Sequence, residues 1–377
     1  MKISIIGGGI MGLAAAWALA RDKHRVTLFE QGPIPNPSGS SVDDHRLIRY
    51  PYGAERGYTR MIAAAYAAWE RLWTDLGTAH YADTGTLVLD HGDPWTADTE
   101  ETLAAEKIPF RRLGPRGVIE AYPMLALDDV RGGLVLESGG TLFARRIVGH
   151  LRKYLEEAGV EIGTEIRISR IDPGRARLWM ADDVRGDQPV DADLLIVAAG
   201  PWTPRLVPGL RNRVTASRQT VMYLIPPSDL AAAWAKHPMV LRLDPMSSFY
   251  LVPPRPWSGG GNSGLKIGNH SFSLSGDPDR DRTASGEETR RLLDLTATSL
   301  RQPERYAIRE AKTCFYDVEP EERFIVEPLA ASTWALSGFS GHGFKFAALI
   351  GEELARAVRG EIAPAALTAW AAGRLPA

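Results

Sequence analysis

Short β-branched apolar runs alternate along this chain with stretches of helical period, the pattern of a sheet covered by helices. Lys2–Ile6 predicts a buried strand, 10–20 an Ala/Leu-rich helix, and Arg25–Phe29 a second strand ending at Glu30. The stretch 31–41 is dense in Pro, Gly, Ser and Asn and predicts a loop. Arg56–Leu76 carries Met61, Ala65, Ala68, Leu72 and Leu76 on one helical face. Further strands are expected at 85–89, 160–162, 166–168 and Leu194–Val197, with a helix over 144–158 closed by Gly159. The stretches 239–252 and 265–267 read as strands separated by the turn-rich 253–264. A strand at 333–336 leads into a glycine turn, and 346–358 reads as a final helix.

The first strand runs straight into Gly7-Gly8-Gly9-Ile10-Met11-Gly12, which fits G-x-G-x-x-G. Gly7 permits a tight turn, Gly9 lets backbone approach a pyrophosphate, and Gly12 lets helix and strand pack closely. The free N–H groups at the start of the helix would then face the phosphates. Three further conditions hold: a strand before, a helix after, and Glu30, 18 positions beyond Gly12, placed to bond a ribose hydroxyl. An ordinary βαβ unit with a solvent-facing Glu30 is the competing account. The acid speaks against a 2′-phosphorylated cofactor and suits FAD and NAD alike.

Composition narrows the classes. With 44 basic and 46 acidic side chains there is no net field of the kind that a basic nucleic-acid binder presents. A single cysteine, Cys314, excludes an internal disulfide framework and a multi-cysteine metal site. The 377 residues suggest two domains. The first twenty residues imitate a secretory signal, with Lys2 before an apolar run ending Ala18-Leu19-Ala20, but four glycines interrupt that run. No apolar stretch has the length of a membrane span. A soluble cytoplasmic protein is expected.

Four later segments carry more information. They are Asp44-His45-Arg46-Leu47-Ile48-Arg49, Gly264-Leu265-Lys266-Ile267-Gly268-Asn269-His270, Cys314-Phe315-Tyr316 and Gly338 to Phe346, which reads GFSGHGFKF. In this order, with the glycine fingerprint and Ala198-Ala199-Gly200, they resemble the monomeric sarcosine oxidase and N-methyl amino acid oxidase family of FAD-dependent oxidases. The resemblance runs nearly end to end. It implies an α/β chain, α+β overall: an FAD-binding Rossmann-like domain (1–80, 141–215, 320–377) and a mixed-sheet substrate domain (81–140, 216–319).

The resemblance also implies roles. Arg49 and Lys345 would clamp a substrate carboxylate, since a guanidinium can hold one through two parallel hydrogen bonds. Tyr250, His270 and Tyr316 would line the same cavity, and Arg46 would lie near the flavin ring. Lys266 would stand beside flavin N5 and stabilise the charge formed as oxygen is reduced. Cofactor contacts are expected at Gly7, Gly9, Ile10, Met11, Gly12, Glu30, Gln31, Ser40, Arg46, Ala199, Gly200 and Trp202. Gly341, His342, Gly343, Phe344 and Lys345 would complete them. Cys314 would hold FAD covalently at its 8-methyl group, which needs a thiolate and hence nearby positive charge.

Other accounts stay open for individual residues. A packed strand-to-helix turn would explain Gly341 and Gly343, though not His342 and Lys345. Lys266 could be exposed on an edge strand, Cys314 a small buried hydrophobe, and Asp43 and Asp44 surface partners of the arginines with little energetic consequence. Ser41 and Val42 replace the family's paired histidines, and His45 stands where the best-known members have threonine. The expected function is oxidation of a secondary amino acid, N-methylated or cyclic, to an imine, with O2 reduced to H2O2, by a monomer with no nucleic-acid or membrane partner. A glycine, D-amino-acid or pipecolate oxidase, an amine dehydrogenase with another acceptor, an NAD-dependent dehydrogenase, and a scaffold that merely retains FAD are the alternatives.

Overall fold

The computed structural model describes residues 1–243, 248–255 and 263–374. The expected connection at 253–264, with Trp257 and most of its glycines, falls largely outside the described residues. Two large sheets organise the chain. The first has six strands in the order Ile325–Ala330, Thr333–Ser337, Leu194–Val197, Lys2–Ile6, Arg25–Phe29, Glu161–Gly163. All neighbours pair in parallel except the first two. Ile3, Ile5, Leu28 and Ile196 are wholly buried, as strands covered on both faces require.

One face of this sheet is covered by the helices Ile10–Arg21, Arg56–Leu76, Ala144–Glu157 and Ala347–Val358, whose apolar stripes form one core. The other face packs on a small antiparallel sheet of Ile168–Asp172, Arg177–Met180 and Gln188–Asp191. No described helix is long and apolar enough to cross a membrane.

The second sheet has eight strands in the order Ala307–Val318, Thr215–Ile225, Leu265–Asn269, Ser248–Val252, Met239–Leu243, Thr86–Asp90, Gly132–Leu136, Arg111–Leu113. It is mixed, with Met239–Leu243 and Thr86–Asp90 parallel and the other neighbours antiparallel. Alternation divides its strands cleanly. Leu265, Ile267, Phe249, Leu251, Met222 and Leu224 enter a core with Leu292 of the Gly286–Ser299 helix and Trp234. Lys266, Gly268, Tyr250 and Tyr223 therefore point to the opposite face.

The predicted elements at Lys2–Ile6, Arg25–Phe29, Arg56–Leu76 and Leu194–Val197 have the expected bounds. The strand expected at 166–168 begins only at Ile168: Glu165 adopts a left-handed conformation and Ile166 N–H caps the first sheet at Glu30 O, 2.9 Å away. The helix expected at 346–358 starts at Ala347, after a single 3-10 turn at Phe344–Phe346, and is not the final one, since a short helix Pro364–Ala371 follows it. The helices Pro94–Ala105 and Gly286–Ser299 and the long antiparallel pair Thr215–Ile225 with Ala307–Val318 were not anticipated.

Where the Ala347–Val358 helix crosses the Ile10–Arg21 helix, a Cβ on Gly351 would lie 2.5 Å from the Ala14 carbonyl oxygen. An Ala normally favours a helix by about 1 kcal/mol over Gly. Here overlap reverses the sign, and Gly351→Ala is expected to lose about 1–3 kcal/mol in urea unfolding. An unchanged or higher midpoint would show that the two helices separate freely.

Candidate active site

The glycine turn is shaped by close approach. Gly7 has φ +111°, and a Cβ on it would lie 2.3 Å from Ala198 O; one on Gly12 would lie 1.9 Å from Gly7 O. Ile10 N–H, one of the free donors of the helix start, bonds Ser41 Oγ at 3.1 Å. Glu30 is buried, and its carboxylate accepts from Gly8 N–H (2.6 Å), Gly32 N–H (3.1 Å) and Asn36 (2.8 Å). It is thus part of the turn itself. A carboxylate has about four acceptor positions, so one remains for a ligand hydroxyl.

In front of this turn lies a cavity of about 420 Å³. Gly7, Gly9, Ile10, Met11, Glu30, Gln31, Ser40 and Arg46 line it from the first strands and their loops. Ala199, Gly200 and Trp202 line it after the Leu194–Val197 strand, and Gly341, Gly343 and Phe344 before the Ala347–Val358 helix. The glycine cradle, the helix N-terminus and the acid that ends the second strand fit the phosphates and ribose of FAD. Four of the residues expected to touch a cofactor do not line this cavity. Gly12 packs beneath Gly7, His342 and Lys345 face a second cavity, and Cys314 borders neither.

The second cavity, of about 80 Å³, brings together Arg49, Tyr250, Lys266, His270, Tyr316 and Lys345. Arg46, Tyr316, Gly341 and Phe344 line both cavities, which meet there. Absent Cβ atoms make room for two of the tyrosines: one on Gly268 would lie 2.6 Å from Tyr250 Oη, and one on Gly341 would lie 2.3 Å from the Tyr316 ring. The Lys345 backbone is held by Trp69 Nε1–H of the Arg56–Leu76 helix, 2.7 Å from its carbonyl.

Lys345 is buried and Arg49 is part-buried with its Nη1 shut off from solvent, and neither has a carboxylate within 4.0 Å among the described residues. Arg49 stacks on Tyr52, its Cζ 4.6 Å from the ring centroid, and its Nη1 has no hydrogen-bond partner. Lys345 Nζ donates to Tyr52 Oη (2.9 Å) and His342 O (2.8 Å). Burial, and then repulsion from Arg49, push the Lys345 ammonium well below the usual lysine range. Tyr52 Oη lies 3.3 Å from His342 Nδ1, while His342 Nε2 lies 3.1 Å from Glu322 O and must donate to it. The Glu322 carboxylate in turn meets His270 Nε2 at 3.2 Å, at the half-exposed rim. Tyr52 and Glu322 were missed in the sequence; Tyr52 stands three positions after Arg49, the spacing that drew attention to Arg46.

Lys266 is buried in a central strand, which excludes an exposed edge position. Its Nζ contacts the Asp43 carboxylate and His45 O (3.2 Å). Asp43 also accepts from Arg46 Nη1 at 2.8 Å and from Tyr223 Oη. Burial alone would raise the Asp43 carboxyl, but Lys266 and Arg46 hold it well below the usual range. The expectation of a weak surface pair is therefore corrected for Asp43, which is buried with its partners. The expectation for Cys314 is corrected too. Burial pushes the thiol up, and Arg46 and Lys266 only partly oppose it.

The family model for "DAO: FAD dependent oxidoreductase" matches residues 2–357, and the chain belongs to that family. It is an FAD-dependent oxidoreductase. Among curated relatives, it is 27% identical over 364 residues to peroxisomal sarcosine oxidase of Homo sapiens, covering 93% of this chain and 90% of the relative. It is 24% identical over 376 residues to N-methyl-L-tryptophan oxidase of Yersinia pestis (strain Pestoides F), covering 98% of both. Among solved structures, the L-proline dehydrogenase of P. horikoshii shares its fold with TM-score 0.79 and 18% identity, over 100% of this chain and 99% of that one.

Asp317, buried beside the larger cavity, carries a testable charge. Its carboxylate accepts from Ser337 Oγ at 3.1 Å, yet burial pushes its carboxyl up to about 6 from the usual 3.8. The folded state therefore holds this proton more tightly than the unfolded chain, and the associated stability is lost as pH rises through that window. Asp317→Asn cannot ionise, so its stability relative to the unsubstituted protein should grow by about 3 kcal/mol between about pH 4 and pH 7. A difference independent of pH in paired urea titrations would show that the carboxyl titrates as it does in water.

Proposed function

We propose that the chain oxidises the C–N bond of a secondary amino acid, N-methylated or cyclic, to an imine, and passes the electrons to O2. The observation that carries this reading is the largely buried basic pair, Arg49 and Lys345, facing the small cavity with no carboxylate among the described residues within ion-pair distance of either. Buried charge without a partner is costly, so such a pair favours an anion from outside. The names of the relatives, a sarcosine oxidase and an N-methyl-L-tryptophan oxidase, support an amino acid as that anion.

FAD, when bound, supplies the two-electron acceptor. Arg49 and Lys345 hold the substrate carboxylate, which turns its amine and the neighbouring carbon toward the junction at Tyr316, Gly341 and Arg46. Tyr250, Tyr316 and the rim residue His270 close the cavity around the rest. The amine loses two electrons, with one hydrogen from carbon and one proton from nitrogen, and water hydrolyses the imine. Lys266 places positive charge where O2 gathers two electrons and two protons to become H2O2. The division into a cofactor unit (1–80, 141–215, 320–377) and a substrate unit (81–140, 216–319) belongs to this proposal, supported by the two sheets that these segments build.

Attachment of FAD through Cys314 is a further part of it. Cys314 lies two positions before Tyr316, on the same face of one strand, with the Arg46 guanidinium opposing the effect of burial on its thiol. With FAD bound, Cys314 would supply the sulfur for this attachment, and O2 would take up the two protons and two electrons released. Acid precipitation should leave the yellow colour in the pellet, and Cys314→Ser should release it to the supernatant. Colour in the supernatant of the unsubstituted protein would end that part of the proposal.

The substrate assignment is tested by anaerobic mixing of the yellow protein with N-methyl, cyclic secondary, D- and unsubstituted amino acids. Secondary amino acids should bleach it fastest; preference for glycine or D-amino acids would move the assignment to them. Arg49→Met should slow bleaching at least ~100-fold, equivalent to about 3 kcal/mol. The same change should raise the stability of the cofactor-free protein by about 1–3 kcal/mol, because an unpaired buried charge is gone. Undiminished bleaching in this variant would remove Arg49 from the carboxylate site.

A further inference from the structure

Lys266 can stabilise charge on oxygen only while it is an ammonium. Its side chain is 4% exposed, and burial favours the neutral amine. Arg46, which lines both cavities, adds repulsion in the same direction. Against these stands Asp43, whose carboxylate touches Lys266 Nζ and is itself anchored by Arg46, Tyr223 Oη and the Asp44 N–H at 2.9 Å.

The other groups around Lys266 do not replace it. His45 is fully buried beside it, makes no ring hydrogen bond, and burial brings its imidazole down to about 3, so it is neutral. The rings of Tyr223 and Tyr250 stand 5.8 Å from Nζ and are both raised by burial, hence uncharged. Cys314 is held protonated by burial. Lys312 and Arg309 lie over the Tyr223 ring and add positive charge, and Asp44 stands 3.9 Å from Arg309 rather than against Lys266. Arg255 adds positive charge on the His45 side.

We propose that Asp43 is a positioning residue that fixes Lys266 as an ammonium on the wall of the smaller cavity, so that the charge offered to O2 does not vary with the pH of the medium. The inference rests on the amine-oxidase reading for its consequence, and on the Asp43–Lys266 contact alone for its cause. The two are tested separately.

The cause is read in cofactor-free protein carrying ¹³Cε-lysine, with the Lys266 signal identified by its loss in Lys266→Met. That signal should not shift between about pH 6 and pH 9 in the unsubstituted protein or in Asp43→Glu, and should titrate within the window in Asp43→Asn. The consequence is read by mixing already reduced holoenzyme with O2. The reoxidation rate should be level with pH in the unsubstituted protein. In Asp43→Asn it should fall as pH rises through the Lys266 midpoint, about tenfold per pH beyond it. A Lys266 signal that titrates in the unsubstituted protein, or stays flat in Asp43→Asn, overturns the proposal. So does level reoxidation in Asp43→Asn when its lysine titrates. If no amine bleaches the protein, the amine-oxidase reading fails, while the lysine titration still decides whether Asp43 sets the charge.

Discussion

Positive charge is gathered at one buried place with too little negative charge to match it. Arg46, Arg49, Lys266 and Lys345 all face the smaller cavity, and among the described residues Asp43 alone lies within ion-pair distance of any of them. Arg46 and Lys266 share that carboxylate; Arg49 and Lys345 rest on Tyr52 and a backbone carbonyl, with the Glu322 carboxylate acting on both from beyond ion-pair distance. A chain selected for stability alone has no reason to keep this arrangement, because unpaired buried charge destabilises. Under the proposed function it is a receptor for anionic groups that arrive from outside: a carboxylate at one end, and the charge developing in an electron transfer at the other.

The fold holds this imbalance by supplying the four cations from three separate parts of the chain. Arg46 and Arg49 leave the loop after the second strand of the parallel sheet, Lys266 comes from the middle of the eight-stranded sheet, and Lys345 from the turn before the last long helix. Their relative positions follow from backbone contacts too close for side chains. Gly7 lies against Ala198, Gly341 against Tyr316 and Gly268 against Tyr250, and these set how near the turns and the tyrosines stand to the cavities. Trp69 ties the Lys345 backbone to the Arg56–Leu76 helix, so the cation is fixed by packing on one side and by hydrogen bonds on the other.

The cradle and the two strands beside it were legible because every signal there is local. Gly7 to Gly12, the apolar runs on either side, and Glu30 lie within one βαβ unit. The antiparallel pair of Thr215–Ile225 and Ala307–Val318 was not, because its members are about ninety positions apart and Ser217 and Gln219 interrupt the apolar alternation. The Gly286–Ser299 helix carried a readable start, the capping box of Ser285 and Glu288, which went unused. The site divides the same way. Arg46, Arg49, Lys266 and Lys345 stand in recognisable segments, but the Asp43–Lys266 contact spans 223 positions and has no signature in either.

The resemblance of their segments to a family was needed to single out the cations, but by itself the sequence determined a nucleotide cradle at its start and a second unit of strands. Local propensity, turn geometry and short-range spacing were enough for that, since each depends on neighbours a few positions away. Only the tertiary structure decided which charges are paired and which are left open. Ion pairing and burial depend on distances between segments far apart in the chain, and those distances exist only once the two sheets have packed.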